Sequence, residues 1–183
     1  NLYAAWEQPE QALFYAQMAR GYAQKQQAKV LLGRSLKAEG AARLQLQQWV
    51  AAKESLLQAL LLFREESALD HECTVLTQLI QHAHALAEKT QLATYAASLW
   101  NLLHSGLLDM TNAEPIKAWW HCYMAFRALG DIRAEDALNQ AQSIFQTQLA
   151  YIHDESWRQD FSTHIPEHRL LQQAKERDPI AQR

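Results

Sequence analysis

Trp119-Trp120-His121-Cys122-Tyr123-Met124-Ala125-Phe126-Arg127-Ala128-Leu129-Gly130-Asp131 opens a stretch that continues through Ala134 and Leu138 to Ile152. In its first half Trp119, Cys122, Tyr123, Phe126 and Leu129 recur at spacings of three and four, the apolar stripe of an amphipathic helix. In its second half Ala134, Leu138, Ala141, Phe145, Leu149 and Ile152 do the same. Between the halves, Gly130 can take the left-handed conformation that ends a helix. Asp131 can accept hydrogen bonds from the unpaired N–H groups that begin the next. Two helices joined by so short a turn fold back on each other as an antiparallel hairpin. A lone hairpin leaves its stripes open, so it calls for a neighbouring hairpin on each flank.

Working outward, the rest of the chain repeats that grammar. The 183 residues are 49% hydrophobic, with only 5 Gly and 4 Pro. This composition suits helices and is poor for a sheet with many turns. No alternating polar–apolar run bounded by turn residues is present, so the expected fold class is all-α. Pro9 fits the first turn of a helix carrying Ala12, Ala16 and Ala19. Gly40 reads as the stop of the next helix, leaving a long one from Ala41 to Phe63. Ser67 and Thr90 read as N-caps, and Gly106 as a helix end. Asn112 reads as the cap of the helix that Pro115 opens, where a missing N–H costs nothing. Asp154 caps a short helix, and Pro166 begins a closing one with Leu170, Leu171 and Ala174 on one face.

Several classes of function find no support in composition. A net charge of −3 gives no bulk attraction to nucleic acid or to an anionic membrane. The longest apolar runs, such as Leu56 to Phe63 with Gln58 inside it, are far too short to span a bilayer. Cys73 and Cys122 fall inside predicted helices and read as small buried hydrophobes rather than a disulfide framework, which favours a cytoplasmic setting. The chain opens at Asn1 without Met, and Leu2-Tyr3-Ala4-Ala5-Trp6 reads as the tail of a helix already under way. We therefore expect an excerpt of a longer protein.

An internal repeat organises the helices into hairpins at about 1–26, 27–66, 67–106 and 112–152, closed by a capping segment at 154–177, all within one domain. Ala12, Ala16 and Ala19 match Ala52, Leu56 and Ala59, then Ala93, Ala97 and Trp100, then Ala134, Leu138 and Ala141. Each triplet, spaced four then three, puts small or apolar side chains on one face of the second helix of a pair. Leu32-Gly33, Leu36, Trp119, Cys122, Tyr123 and Phe126 occupy the receiving face of the first. This pattern resembles the tetratricopeptide repeat, built on a Trp, a Leu-Gly, a Tyr and spaced Ala and Phe over about 34 residues. The second hairpin carries about two extra helical turns around 41–47. The resemblance implies a right-handed superhelix of helical hairpins. The tail Ser156-Trp157-Arg158-Gln159-Asp160-Phe161, followed by Ile165-Pro166-Glu167-His168-Arg169, is similar to the closing segment of arrays C-terminal to ATPase modules in multidomain bacterial regulators. These include proteins with nucleotide-cyclase, kinase or transcription-factor domains.

No constellation for catalysis emerges. His82 and His84 point to different faces of one helix, and His71-Glu72-Cys73 lacks the second His that a zinc helix needs. His121-Cys122 is an adjacent pair on diverging faces. No glycine-rich phosphate loop and no strained nucleophile elbow exist, so we expect neither an enzyme nor a cofactor. Arg34, Lys37 and Arg43 could form a small positive strip, but Glu39 and Glu54 among them favour a solvated helix face over nucleic-acid binding. In the tetratricopeptide resemblance the first helix of each pair lines a concave groove. That carries over to Arg34, Lys37, Gln78, His82, Trp120, Met124 and Arg127. Trp120 adds its own argument, because it cannot share the direction of the inward Trp119. It either faces the groove as a hot spot or packs on the adjacent hairpin or the 107–114 connection.

The expectation is a protein–protein interaction or intramolecular regulatory module of a larger bacterial signalling or transcription-regulatory protein, taking a peptide or protein surface in its groove. The alternative is a small-molecule effector sensor coupled to an upstream ATPase module. Homo-oligomerisation through an open hairpin face stays possible.

Overall fold

The computed structural model describes residues 8–108 and 114–177, with side chains through Ala174, and these residues are all-α. The expected helical tail at Leu2–Trp6 and the Asn112 cap lie outside the described residues. The chain divides into two compact units, Asn1–Ala113 and Glu114–Arg183. The first contains α1 (Pro9–Lys25), α2 (Lys29–Gln45), α3 (Trp49–Glu65), α4 (Leu69–Ala85) and α5 (Lys89–His104). The second contains α6 (Pro115–Leu129), α7 (Arg133–Ala150), α8 (Glu155–Thr163) and α9 (Pro166–Arg177).

Within the first unit each helix packs on the next in the chain. All four connections use one three-residue turn. Its middle residue is left-handed: Gln27 (φ 52°), Gln47 (φ 56°), Ser67 (φ 53°) and Ala87 (φ 55°). The N–H of that residue bonds back across three residues and the following N–H across five, as in Gln27 to Gln24 and Ala28 to Ala23. The same two bonds recur at Gln47 and Gln48, at Ser67 and Ala68, and at Ala87 and Glu88. This is the Schellman closure, which satisfies the last carbonyls of the outgoing helix. The expected side-chain caps therefore give way. Ser67 is the left-handed turn residue and Ala68 the N-cap, while Glu88 rather than Thr90 caps α5, neither with a side-chain cap bond.

Gly40 likewise does not stop a helix. It lies inside α2, where an added Cβ would sit 2.5 Å from Leu56 Cδ2; a Cβ at Gly33 would sit 2.7 Å from Phe63. Both glycines are where α3 comes closest, and α2 runs on to Gln45. The long helix expected from Ala41 is thus the end of α2, a turn at Gln47, and α3.

Burial repeats every forty residues. Ala52, Leu56 and Ala59 of α3 are buried, as are Leu92, Ala96 and Leu99 of α5. The inward face of α5 is therefore one residue earlier than Ala93, Ala97 and Trp100; Ala93 is exposed. On α2 the buried positions Gly33, Leu36, Glu39, Gly40 and Ala42 match Cys73, Leu76, Leu79, Ile80 and His82 of α4. Glu39 thus stands where the next hairpin has Leu79. Its carboxylate is fully buried and held by Arg20 at 3.2 Å and Arg43 at 3.1 Å, and Arg43 also donates to the Ser55 hydroxyl.

In the second unit α6 and α7 form the hairpin that the sequence announces. Gly130 is left-handed (φ 69°), and the Asp131 carboxylate accepts the Arg133 N–H at 3.0 Å and its guanidinium at 2.6 Å. The hydrogen bonds from Arg133, side chain first and then backbone, lower the Asp131 pKa to about 2. Trp119, Cys122, Phe126, Leu138, Ala141 and Phe145 are core. The N-cap of α6 is Glu114, with Pro115 in the first turn. Asp154 caps α8 by accepting the Trp157 N–H at 3.0 Å. Leu171 and His168 fix α9: the His168 Nδ1–H donates to the Phe161 carbonyl at 2.8 Å, and its ring packs against Phe161 and Phe145. Leu170 points to solvent instead. Cys73 and Cys122 are buried and in no disulfide.

Candidate functional site

The residues singled out from the sequence divide between the units. Arg34, Lys37, Gln78 and His82 belong to the first; Trp120, Met124 and Arg127 belong to the second. Two of them are not surface groups. His82 is 1% exposed, its Nε2–H donating to the Trp49 carbonyl at 3.0 Å and its ring edge-on to Trp49. Trp120 is 6% exposed, with its ring 5.1 Å from Tyr123. Both are buried positions rather than groove-facing ones. Trp119 and Trp120 are adjacent on one helix and point in different directions, and both directions are packed. Met124 is half-buried, and Arg127 is exposed, donating to the Tyr123 hydroxyl at 3.1 Å.

In the first unit the geometry is more open. Arg34 is exposed and has no carboxylate partner among the described residues, while Lys37 and Gln78 are half-buried. Val30, Arg34 and Lys37, spaced four then three, lie along one stripe of α2. Val30 also lines an open cleft of about 330 Å³ with Ser67, Ala68, Leu69, Asp70, His71 and Leu107. The wall is mostly apolar, and Val30 and Leu107 are 38% and 72% exposed. The His71 ring leans on Phe63 at 4.9 Å. Burial, then the charges of Lys37 and Arg34, push the His71 pKa below its ordinary value, and Asp70 works against them. The neutral imidazole is thus favoured, and Lys37 and Arg34 lie close enough to the cleft wall to act on it. The neighbouring Lys29 and Arg64 are already engaged, with Glu65 and Glu66 and with Glu72.

The cleft and the Glu39 cluster went unread in the sequence. The forty-residue register would have found the second, since a glutamate at a position filled by Leu79 in the next hairpin signals a buried charge. It would not have found the cleft, which depends on Leu107 reaching back to the α3–α4 turn.

No family model and no curated protein sequence matches this chain. Among solved structures, the chain is similar to BtubC (BKLC) from P. vanneervenii, with a TM-score of 0.66 and 14% identity over 84% of this chain. It spans 63% of that protein's length. At this identity the likeness speaks for the helical fold alone. Among the described residues no helix is long and apolar enough to cross a membrane.

Proposed function

We propose that this chain is a protein–protein interaction or intramolecular regulatory module, a right-handed superhelix of hairpins resembling tetratricopeptide repeats, working within a larger bacterial signalling or transcription-regulatory protein in the cytoplasm. The observation that carries the reading is the repetition of one helix–turn unit with one turn geometry and a forty-residue burial register. Such quasi-one-dimensional stacking makes extended binding surfaces from successive first helices. On that reading α2 and α4 present Arg34, Lys37 and Gln78, and α6 presents Met124 and Arg127. His82 and Trp120 act as supports beneath the surface rather than as contacts. Selection of a random peptide library against the intact chain tests the proposal. Enrichment of related peptides that bind the folded chain and not its denatured form supports it, and failure of every peptide to bind contradicts it.

The cleft, of a size that admits a small molecule, favours a second reading as an effector sensor. A rise in melting temperature with metabolite mixtures, and none with selected peptides, would turn the assignment that way.

A further inference from the structure

We infer that the α2–α4 face of the first unit takes an extended peptide with an apolar residue seated in the cleft and acidic residues following it along α2. This rests on the peptide-binding reading above and gives the partner its chemistry. The apolar anchor follows from the cleft itself: Val30, Ala68, Leu69 and Leu107 supply most of its wall, and Val30 and Leu107 stay exposed at its rim. A volume of about 330 Å³ is at the small end for ligand sites and accommodates one leucine- or phenylalanine-sized side chain with room for its backbone. His71 offers the neutral face of an aromatic ring at the same wall, because its proton is disfavoured by burial and by the adjacent cations.

The acidic part follows from charge. Arg34 is one turn beyond Val30 on the same stripe, exposed and without a carboxylate partner among the described residues. Lys37 adds its charge one turn further, close enough to act on His71. Asp70, on the cleft wall, repels a carboxylate placed in the cleft itself, so the acid belongs outside it, over Arg34. The spacing sets a register. Val30 to Arg34 rises about 6 Å along the helix, which an extended strand covers in about two residues. Arg34 to Lys37 takes about one or two more. The implied motif is an apolar residue, any residue, then one or two acidic residues.

Fluorescence anisotropy on the intact chain provides the test, with fluorescein-labelled twelve-residue peptides centred on Leu-Ser-Glu-Glu, Leu-Ser-Lys-Lys and Ser-Ser-Glu-Glu. The proteins are the unaltered chain, Arg34→Glu and Leu107→Ser, both at exposed positions, each checked for helicity by circular dichroism. Leu-Ser-Glu-Glu is expected to bind at least about fivefold more tightly than either other peptide at low salt, the margin shrinking as salt screens the pairs. Arg34→Glu is expected to reverse the preference between Glu and Lys peptides, which loss of folding could not do. Leu107→Ser should abolish the advantage of Leu over Ser. Equal binding of the three peptides, or a Glu preference that survives Arg34→Glu, overturns the inference. If library-selected peptides still bind the chain in that case, the interaction-module reading stands. If no peptide binds in either experiment, both fall.

Discussion

Glu39 shows what a single position can cost or contribute in a repeat. Its fully buried carboxylate touches two guanidiniums, yet its Oε1 has no hydrogen-bond partner. Desolvating such a group offsets much of the Coulomb gain, and well-packed hydrophobic replacements of buried ion pairs are often neutral or stabilising. Since Leu79 fills the equivalent place forty residues on, Glu39→Leu is expected to leave stability within about 1 kcal/mol of the original or raise it. Arg43→Ala, which strands the carboxylate with Arg20 alone, is expected to cost about 2–4 kcal/mol. Urea denaturation of the two variants decides between this account and one in which the ion cluster holds the hairpins together; a large loss in Glu39→Leu would support the latter. The contribution of His168, by contrast, depends on pH. Burial lowers its pKa, so the folded chain resists a proton that the unfolded chain accepts near pH 6.5. The stability held by neutral His168 is present above that pH and is lost as pH falls below it. His168→Asn retains an N–H donor but does not titrate. Protection of the α9 amides, taken at each pH relative to the base-catalysed intrinsic exchange rate, should therefore fall as pH drops below about 6.5 in the unaltered chain, and less so in the variant; identical protection profiles would exclude His168 as the cause.

At the scale of elements, the turns decide the architecture. Four consecutive connections place a non-glycine residue at positive φ, a conformation that costs L residues about 1 kcal/mol or more. The closing backbone bonds and the packing of the flanking helices hold them there. Ala87 has no side chain that could hydrogen-bond locally to ease the strain, so Ala87→Gly is expected to stabilise the chain by about 0.5–1 kcal/mol. A lower melting temperature for that variant would mean the turn is not left-handed in solution. The same turns explain which elements the sequence made legible. The hairpin at Gly130 was readable because a glycine stood where a left-handed residue is required and Asp131 followed it. At Gln47 no such residue marks the turn, so the break fell instead on Gly40, whose missing Cβ serves close packing against Leu56. An error of one residue at α5 has a related origin. Ala93 and Leu92 fit a helical stripe equally well, and only the exact forty-residue register separates them.

For the molecule as a whole, apolar periodicity was enough to read an all-α chain, and the helical likeness to BtubC agrees with it. The surface was less legible. Arg34 and Lys37 were picked out by carrying the tetratricopeptide groove over to the first helix of each pair, and Arg34 is exposed on α2. Burial of His82 and Trp120 depends on how many flanks each helix covers, which spacing along one helix does not encode. The cleft beside Arg34 joins residues from α2, the α3–α4 turn and the segment after α5, and no local pattern announces it. Partners are expected to bind on that surface. Backbone chemical-shift mapping of the isotopically labelled chain, titrated with the tightest peptide from library selection, addresses it most directly. Perturbations concentrated at Val30, Arg34, Lys37, Ser67, His71 and Gln78 are the predicted result. Perturbations confined to the outward faces of α3 and α5, or absent from the first unit altogether, would contradict it.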